Sequence, residues 1–106
     1  MPQLSYVHGT SMTPLLGATI GACFDRTAAR WPDTEALVVP QQDVRWTYRQ
    51  LQREVDAVAA GCLAFGLQPG ERVGIWAPNT WEWVVTQFAT AKAGLILVNI
   101  THQSVI

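Results

Sequence analysis

Apolar residues recur at three- and four-residue spacing in three stretches of the chain, and this spacing predicts three amphipathic helices. The first predicted helix covers Thr19–Trp31 and ends at Pro32, because proline cannot continue a helix. Arg26 and Arg30 lie on a face that we expect to be exposed to solvent. The predicted apolar face contains Ile20, Cys23, Phe24, Thr27, Ala28 and Trp31.

The second predicted helix has the most complete end signals. Thr47 and Gln50 fit a capping box, in which each side chain accepts a hydrogen bond from the other residue's backbone N–H. Gly66 is placed to adopt the left-handed conformation that ends many helices. Arg49, Arg53 and Asp56 lie on the side predicted to face solvent. The predicted buried stripe is Leu51, Val55, Val58, Cys62 and Phe65.

The third predicted helix covers Thr80–Ala93, with Asn79 as its N-cap and Gly94 after its last turn. Lys92 lies in that last turn, where a positive charge interacts favourably with the helix dipole, and we expect it to be a surface charge. The predicted apolar stripe is Trp81, Val84, Val85, Phe88 and Ala91 or Lys92.

Short apolar runs between turn residues predict strands. Glu35–Val39 and Val44–Trp46, joined by a turn at 41–43, form a predicted hairpin. Arg72–Trp76 and Leu95–Val98 flank the third helix. This order predicts a right-handed βαβ unit.

Two features of this unit predict how it is packed. Gly74 inside a strand indicates close approach by a neighbouring backbone. The wholly apolar run Leu95–Val98 is typical of a strand that is covered on both faces. Because parallel sheets normally have more than two strands, we expect an incomplete sheet.

The predicted fold class is therefore α/β, with a hairpin, two helices and a right-handed βαβ unit. We divide the chain into an extended N-terminal arm (1–18), a partial domain (19–100) and a short tail (101–106).

Composition favours a piece of a larger interior or a chain with a partner. Of 106 residues, 49% are hydrophobic and only 14% are charged, and five are tryptophan. The net charge of −1 argues against nucleic acid or an anionic membrane as a partner. No signal peptide, transit peptide or transmembrane segment is recognisable, so we expect a cytoplasmic location.

Candidate catalytic residues are few, and each has a structural explanation. The run Gly70–Gly74 superficially resembles a phosphate loop, but its spacing is wrong and it precedes a strand. The loop before the third helix could bind an anion, although Asn79 fits a cap better. Glu82, between two tryptophans, has no second carboxylate or base spaced to act with it as a general acid.

The remaining reactive side chains form no motif. Cys23 and Cys62 are predicted to be reduced thiols in the core, and no Cys/His spacing supports a metal site. The serines and histidines fit no nucleophile motif; they are Ser5, Ser11, Ser104, His8 and His102. We therefore predict no catalytic, cofactor-binding or metal-binding residue in this chain.

From about Ser5 to Ile100 the chain resembles the N-terminal portion of the AMP-forming fatty-acyl-CoA synthetases, in the adenylate-forming ligase superfamily. The opening Ser5–Gly9 (SYVHG) and Pro14–Gly17 (PLLG) narrow the resemblance to synthetases of the family-member-2 type and their bacterial relatives. The superfamily resemblance rests on Glu35–Val38 (EALV), Trp46–Leu51 (WTYRQL), Gly66–Asn79 (GLQPGERVGIWAPN), Ala91–Gly94 (AKAG) and Val98–Ile100 (VNI).

The resemblance implies a two-step activation of a fatty acid. The carboxylate attacks the α-phosphate of ATP to give an acyl-adenylate and pyrophosphate, and the thiol of coenzyme A then displaces AMP. In the family, Mg²⁺ and positive groups offset the charge on the phosphates. The family's phosphate loop, adenine-binding segment, ribose-binding aspartate and C-terminal lysine match no position here. Thr101–Ile106 also departs from the family's Asn-Pro-x-Tyr-like segment, as a frameshift, a premature stop or an alternative reading frame would produce.

The prediction is an N-terminal fragment of a fatty-acid–CoA ligase that is inactive by itself. One alternative is a short interaction module that associates with a full-length synthetase through an unpaired sheet edge. A free-standing enzyme with an unrecognised site is a third. Animal members of the subfamily are mitochondrial, so a missing upstream transit peptide would change the predicted location.

Overall fold

The computed structural model describes residues 9–100. Each predicted helix and strand is present, and the ends differ from the prediction by at most two residues. The elements in chain order are α1 (Ile20–Arg30), β1 (Glu35–Val39), a 3₁₀ turn (Pro40–Gln42), β2 (Val44–Thr47), α2 (Tyr48–Ala64), β3 (Arg72–Trp76), α3 (Trp81–Ala93) and β4 (Ile96–Ile100).

The strands form two separate two-stranded sheets. β1 and β2 pair antiparallel as the predicted hairpin. β3 and β4 pair parallel, in a register that runs from Arg72 opposite Ile96 to Trp76 opposite Ile100. Among the described residues neither edge of the β3–β4 pair has another strand, so the sheet is incomplete as predicted.

Side chains cap the starts of the first two helices, and the capping box predicted for the second is confirmed. Thr19 accepts a hydrogen bond from the N–H of Ala22 at the start of α1 (3.1 Å). At the start of α2, the Thr47 hydroxyl and the Gln50 amide form the reciprocal capping box. α2 ends in a Schellman motif: Gly66, at φ +100°, donates to the Leu63 carbonyl, and the next residue donates to Cys62.

The core lies between the three helices, where α1 adds one aromatic ring to the α2–α3 contact. The rings of Phe24 and Phe88 stack with centroids 4.7 Å apart. The buried cluster is Phe24, Leu51, Val55, Ala59, Val85 and Ala89.

The predicted stripe of α2 is wrong in its second half. Burial follows Leu51, Val55 and Ala59 at four-residue spacing, and Val58 faces solvent. Phe65 is 86% exposed, because the last turn of α2 extends beyond the packed region of the core. Periodicity identified the helix but not the end of its buried face.

α3 buries a polar residue that was not part of its predicted stripe. Thr90 is fully buried, beside Val85 and Ala89. Its hydroxyl donates to the carbonyl of Thr86 at 2.8 Å, so burial leaves it with a hydrogen-bond partner.

Among residues 9–100, β4 is covered on one face only, whereas its apolar run predicts cover on both. Leu97 faces α3, whereas Ile96, Val98 and Ile100 are exposed on the opposite face. The register puts Trp76 on that same exposed face, and it is 70% exposed. We call these four residues the open face.

Gly74 of β3 also lies on the open face. A Cβ built at Gly74 would lie 3.2 Å from Cδ1 of Ile100. The close neighbour is therefore a side chain of the partner strand, and the predicted approach of a backbone is wrong.

Residues 9–18 form neither helix nor strand, and all are exposed. The rest of the predicted arm (1–8) and the predicted tail (101–106) lie outside the described residues.

Candidate functional site

The carboxyl ends of β3 and β4 are where an α/β fold builds a ligand site, and residues 77–80 connect this edge to α3. A groove of about 490 Å³ lies beside this loop, between the end of β1 and the start of α3. No charged side chain lines it; its walls are mainly Leu37–Val39, Pro40, Trp83 and Val84. The groove therefore offers shape and apolar surface but no acid, base or nucleophile.

A side chain from the hairpin caps the first turn of α3. The N–H of Trp81 donates to Oε1 of Gln42 at 2.8 Å. The Gln42 amide nitrogen in turn donates to both carboxylate oxygens of Glu82, at 3.1 and 3.2 Å. One amide thus satisfies a backbone donor and a carboxylate of the same helix turn.

This arrangement corrects the predicted cap. Thr80 is the N-cap residue, and it makes no side-chain capping bond. Asn79 is exposed, and its side chain makes no hydrogen bond to the other described residues. Capping rules are local, whereas Gln42 is 39 residues from Trp81, so no sequence signal pointed to it.

Glu82 is not suited to act as a general acid. Burial alone would raise its pKa, but hydrogen bonds from Gln42, Thr80 and its own backbone N–H hold the pKa of Glu82 below the ordinary value. The carboxyl group is therefore ionised at neutral pH and has no proton to donate. Its charge also occupies the helix N-terminus at which an anion would bind.

The backbone donors of the glycine-rich turn before β3 are engaged within the fold. The N–H of Gly70 donates to the Gly94 carbonyl (2.8 Å), and the N–H of Glu71 donates to the Gln68 carbonyl (3.0 Å). The N–H of Gln68 donates to the Glu71 carboxylate at 2.6 Å. The turn also lies at the amino end of the parallel strands, opposite the edge where such folds bind ligands.

Lys92 is not the surface charge that its position predicted. Its side chain is only 18% exposed, and its ammonium group bonds to Asp25 of α1 (2.7 Å) and to Asp56 of α2. Gln52 also donates to Asp25, at 3.0 Å. Each partner is at least 36 residues away in sequence, so helix position alone could not identify the cluster.

These ion pairs determine the titration of the cluster. Burial alone would lower the pKa of Lys92, but hydrogen bonds to Asp25 and Asp56 and their charges hold the pKa above its ordinary value. Burial alone would raise the pKa of Asp25, but hydrogen bonds from Lys92 and Gln52 hold that pKa below its ordinary value. Lys92 therefore stays charged at neutral pH and is a weak nucleophile.

The other candidate residues are dispersed. Cys23 and Cys62 are half-buried free thiols. Ser11 is exposed, and its hydroxyl accepts a hydrogen bond from the N–H of Thr13. The candidates that lie outside the described residues are Ser5, His8, His102 and Ser104.

Metal-ligand clusters and membrane-spanning helices are both absent from residues 9–100. Between residues 9 and 100, no three or more His, Cys, Asp or Glu side chains group as ligands for a metal ion. None of the helices in this part of the chain has the length and hydrophobicity to cross a membrane. The backbone N–H groups of Gly70, Glu71 and Trp81 are already hydrogen-bonded, and Glu82 places a negative charge at the start of α3, so neither segment presents a backbone cradle for the phosphates of ATP.

Comparison with known proteins shows the family to which the chain belongs. The family model described as "AMP-binding enzyme" matches residues 24–104, which extends beyond the boundary at residue 100 that we predicted. The mitochondrial medium-chain acyl-CoA ligase ACSF2 of Mus musculus is 47% identical over 97 residues, which are 92% of this chain and 16% of that protein.

More distant proteins give the same result. The putative acyl-CoA synthetase YngI of Bacillus subtilis is 40% identical over 84% of this chain and 16% of its own length. The inhibitor-bound crystal structure of the N-terminal domain of FACL13 from Mycobacterium tuberculosis superimposes with a TM-score of 0.76 and 32% identity. That superposition covers 79% of this chain and 21% of the FACL13 chain.

The chain thus spans only about one sixth of the curated relatives that it matches. Its fold matches part of the N-terminal domains of adenylate-forming ligases, about one fifth of the FACL13 chain. The chain belongs to the family of AMP-binding enzymes, in which it matches the N-terminal portion of the fatty-acyl-CoA synthetases.

Proposed function

We propose that this chain is the N-terminal scaffold of a fatty-acid–CoA ligase, which converts a fatty acid, ATP and coenzyme A into acyl-CoA, AMP and pyrophosphate. The observation that carries the proposal is the match to acyl-CoA ligases over 92% of this chain and only 16% of theirs. In this role the chain supplies helices and strands, and residues elsewhere in the ligase supply the chemistry. The names of the ACSF2 relatives favour a medium-chain acyl substrate.

We further propose that the polypeptide is inactive alone. The support is chemical: Glu82 and Lys92 are engaged in structural hydrogen bonds, and the donors of Gly70 and Trp81 are already used. Mg²⁺, ATP and coenzyme A would be held by other parts of a complete synthetase.

Inactivity is tested by ATP–pyrophosphate exchange with medium- and long-chain fatty acids and the purified chain. We expect exchange at the level of a protein-free control. Fatty-acid-dependent exchange by the pure chain, which persists after a second purification step, would overturn the proposed inactivity.

The scaffold role is tested by a chimera. Residues 9–100 replace the matching segment of the Bacillus subtilis relative, and ligase activity is measured as acyl-CoA formed. We expect activity to be retained, because both segments share 40% identity over most of this chain. The control chimera carries Ile75→Asp, which introduces a charge at a buried position of β3 and should abolish activity. A folded but inactive parent chimera would contradict the scaffold role.

Location follows from the same proposal. The cytoplasm remains the prediction for the chain as given. The mitochondrial location in the names of the ACSF2 relatives supports the alternative of an upstream transit peptide. Cell fractionation of the natural protein separates the two.

A second candidate function is an interaction module that associates with a full-length synthetase. The observation in its favour is the unpaired edges of β3 and β4 together with the open face. Size-exclusion chromatography with a full-length relative should then show a co-eluting complex. A monomer that elutes separately from the relative would rule this function out.

A further inference from the structure

α1 packs incompletely on the other two helices. Its buried residues are Gly21, Phe24 and Ala28. An open cavity of about 290 Å³ remains at the contact, between Cys23 and Thr27 on one side and Tyr48 and Phe88 on the other. Fewer dispersion contacts are therefore lost when α1 moves away than if this contact were filled.

The described segments before and after α1 differ in their backbone structure. Residues 9–18, which precede it, are exposed and form neither helix nor strand. The loop after it is fixed, because the N–H of Arg49 donates to the Pro32 carbonyl and the N–H of Tyr48 donates to the Thr34 carbonyl, both at 3.0 Å. A rigid movement of α1 would therefore pivot about Trp31 and Pro32.

The polar contacts of α1 with the other helices centre on Asp25, whose carboxylate accepts hydrogen bonds from Gln52 of α2 and from the ammonium group of Lys92 in α3. The ammonium group bonds to Asp25 of α1 and also to Asp56 of α2. Gly21 allows α1 to lie against this side chain, since a Cβ at that position would be 2.9 Å from Cγ of Lys92 and 3.2 Å from its Cα.

We propose that the ion cluster of Asp25, Asp56 and Lys92 is a latch for α1, and that α1 detaches as a unit before the α2–α3 pair opens. Detachment of α1 costs little free energy at the ion cluster, because Lys92 keeps Asp56 as a partner when Asp25 leaves. No uncompensated charge therefore remains in the partly buried site. Breaking a buried ion pair is costly when such a charge is left behind. Detachment would uncover Phe88 and the wall of the cavity.

Hydrogen exchange of the full 106-residue chain tests the order of opening. We expect the amides of α1 to exchange together, and faster than those of Leu51–Ala59 in α2 and Val85–Thr90 in α3. Equal protection in all three helices would overturn the proposal, since α1 would then open only with the whole fold.

The latch itself is tested with charge variants. Asp25→Asn should speed the exchange of α1 by about fivefold, as expected for loss of one partly exposed ion pair. Asp33→Asn is the matched control: it removes the same charge from the exposed Arg49 pair, and α1 should exchange as in the parent chain. Asp56→Asn should not speed α1, because Asp25 then becomes the sole partner of Lys92.

Lys92 is the only lysine in the chain, so an amine-reactive acetylating reagent reports directly on the cluster. Acetylation of Lys92, measured by mass spectrometry against the N-terminal amine, should be about fivefold faster in Asp25→Asn. Gly21→Ala should have the same effect without changing charge, because the new methyl group displaces α1 from Lys92. If Asp25→Asn and Gly21→Ala both leave α1 exchange and Lys92 acetylation at the level of Asp33→Asn, the latch does not exist.

Discussion

Gln42 shows how one side chain can join two separate parts of this fold. Its amide contacts the backbone of Trp81 and the carboxylate of Glu82, so the hairpin is tied to the start of α3. The rings of Trp46 and Trp81 meet edge to face near this contact, with centroids 5.1 Å apart. The position of α3 over its sheet thus depends on a residue outside the βαβ unit.

Gln42→Ala should lower the free energy of unfolding by about 1–2 kcal/mol, because the Trp81 N–H in the first turn of α3 loses its acceptor. Urea unfolding followed by circular dichroism measures the change. Asn79→Ala is the control and should cost less than about 0.5 kcal/mol, since its side chain is exposed. A larger loss for Asn79→Ala than for Gln42→Ala would show that Asn79 is the cap after all.

Two glycines of the α2 region should respond oppositely to alanine. Gly61 is helical, with open space where a Cβ would lie, so Gly61→Ala should stabilise the protein by about 0.5–1 kcal/mol. Gly66 has φ +100°, so Gly66→Ala should destabilise it by about 1–2 kcal/mol. Thermal unfolding of both variants gives the signs. A stabilising Gly66→Ala would contradict the left-handed end of α2.

At the scale of elements, local signals were sufficient to predict every helix and strand. The capping box at Thr47, the glycines after α2 and α3, and the apolar spacing each act within a few residues. The errors arose where distant elements meet: Gln42 at α3, Lys92 between α1 and α2, and the uncovered face of β4. Such contacts depend on tertiary packing, which a local pattern does not encode.

The ion cluster joins three helices, and it should make stability depend on pH in two ranges. The pKa of Asp25 lies below its ordinary value of 3.8, so its contribution is present above that pH and is lost as the pH falls through the folded-state pKa. The pKa of Lys92 lies above 10.5, so its contribution is present below that pH and is lost as the pH rises through the folded-state pKa. Between these values the cluster contributes a constant amount.

Urea midpoints measured from pH 2 to pH 6 test the acid range. Asp25→Asn should reduce the loss of stability on acidification relative to the parent chain. The lowered pKa of Glu82 contributes a loss in the same range, so a residual slope should remain. An unchanged slope in Asp25→Asn would show that the Asp25–Lys92 pair does not stabilise the fold.

At the scale of the whole molecule, the open face is the main departure from an isolated domain. Trp76, Ile96, Val98 and Ile100 present apolar surface beside two strand edges that no other strand within residues 9–100 pairs with. The matching ligases are about six times longer than the segment they share with this chain, and under the proposed scaffold role we expect their further sequence to cover this surface.

We expect the open face to make the chain self-associate, and Trp76→Lys should reduce that association. The change in unfolding free energy should stay below about 0.5 kcal/mol, because Trp76 is 70% exposed. Light scattering over a concentration series measures the association. Arg53→Lys, an exposed change on α2, is the control and should have no effect. Unaltered association in Trp76→Lys would show that the open face is not the surface involved.

The contact between Asp25 and Lys92 also has a consequence for synthesis on the ribosome. The two residues are 67 positions apart, and Phe88, the stacking partner of Phe24, is also translated long after α1. At a translation rate of about 5–20 residues per second, α1 waits roughly 3–13 s for Lys92 to be made. Phe24 lacks its stacking partner for about as long, so docking of α1 is a late event in the vectorial folding of this chain.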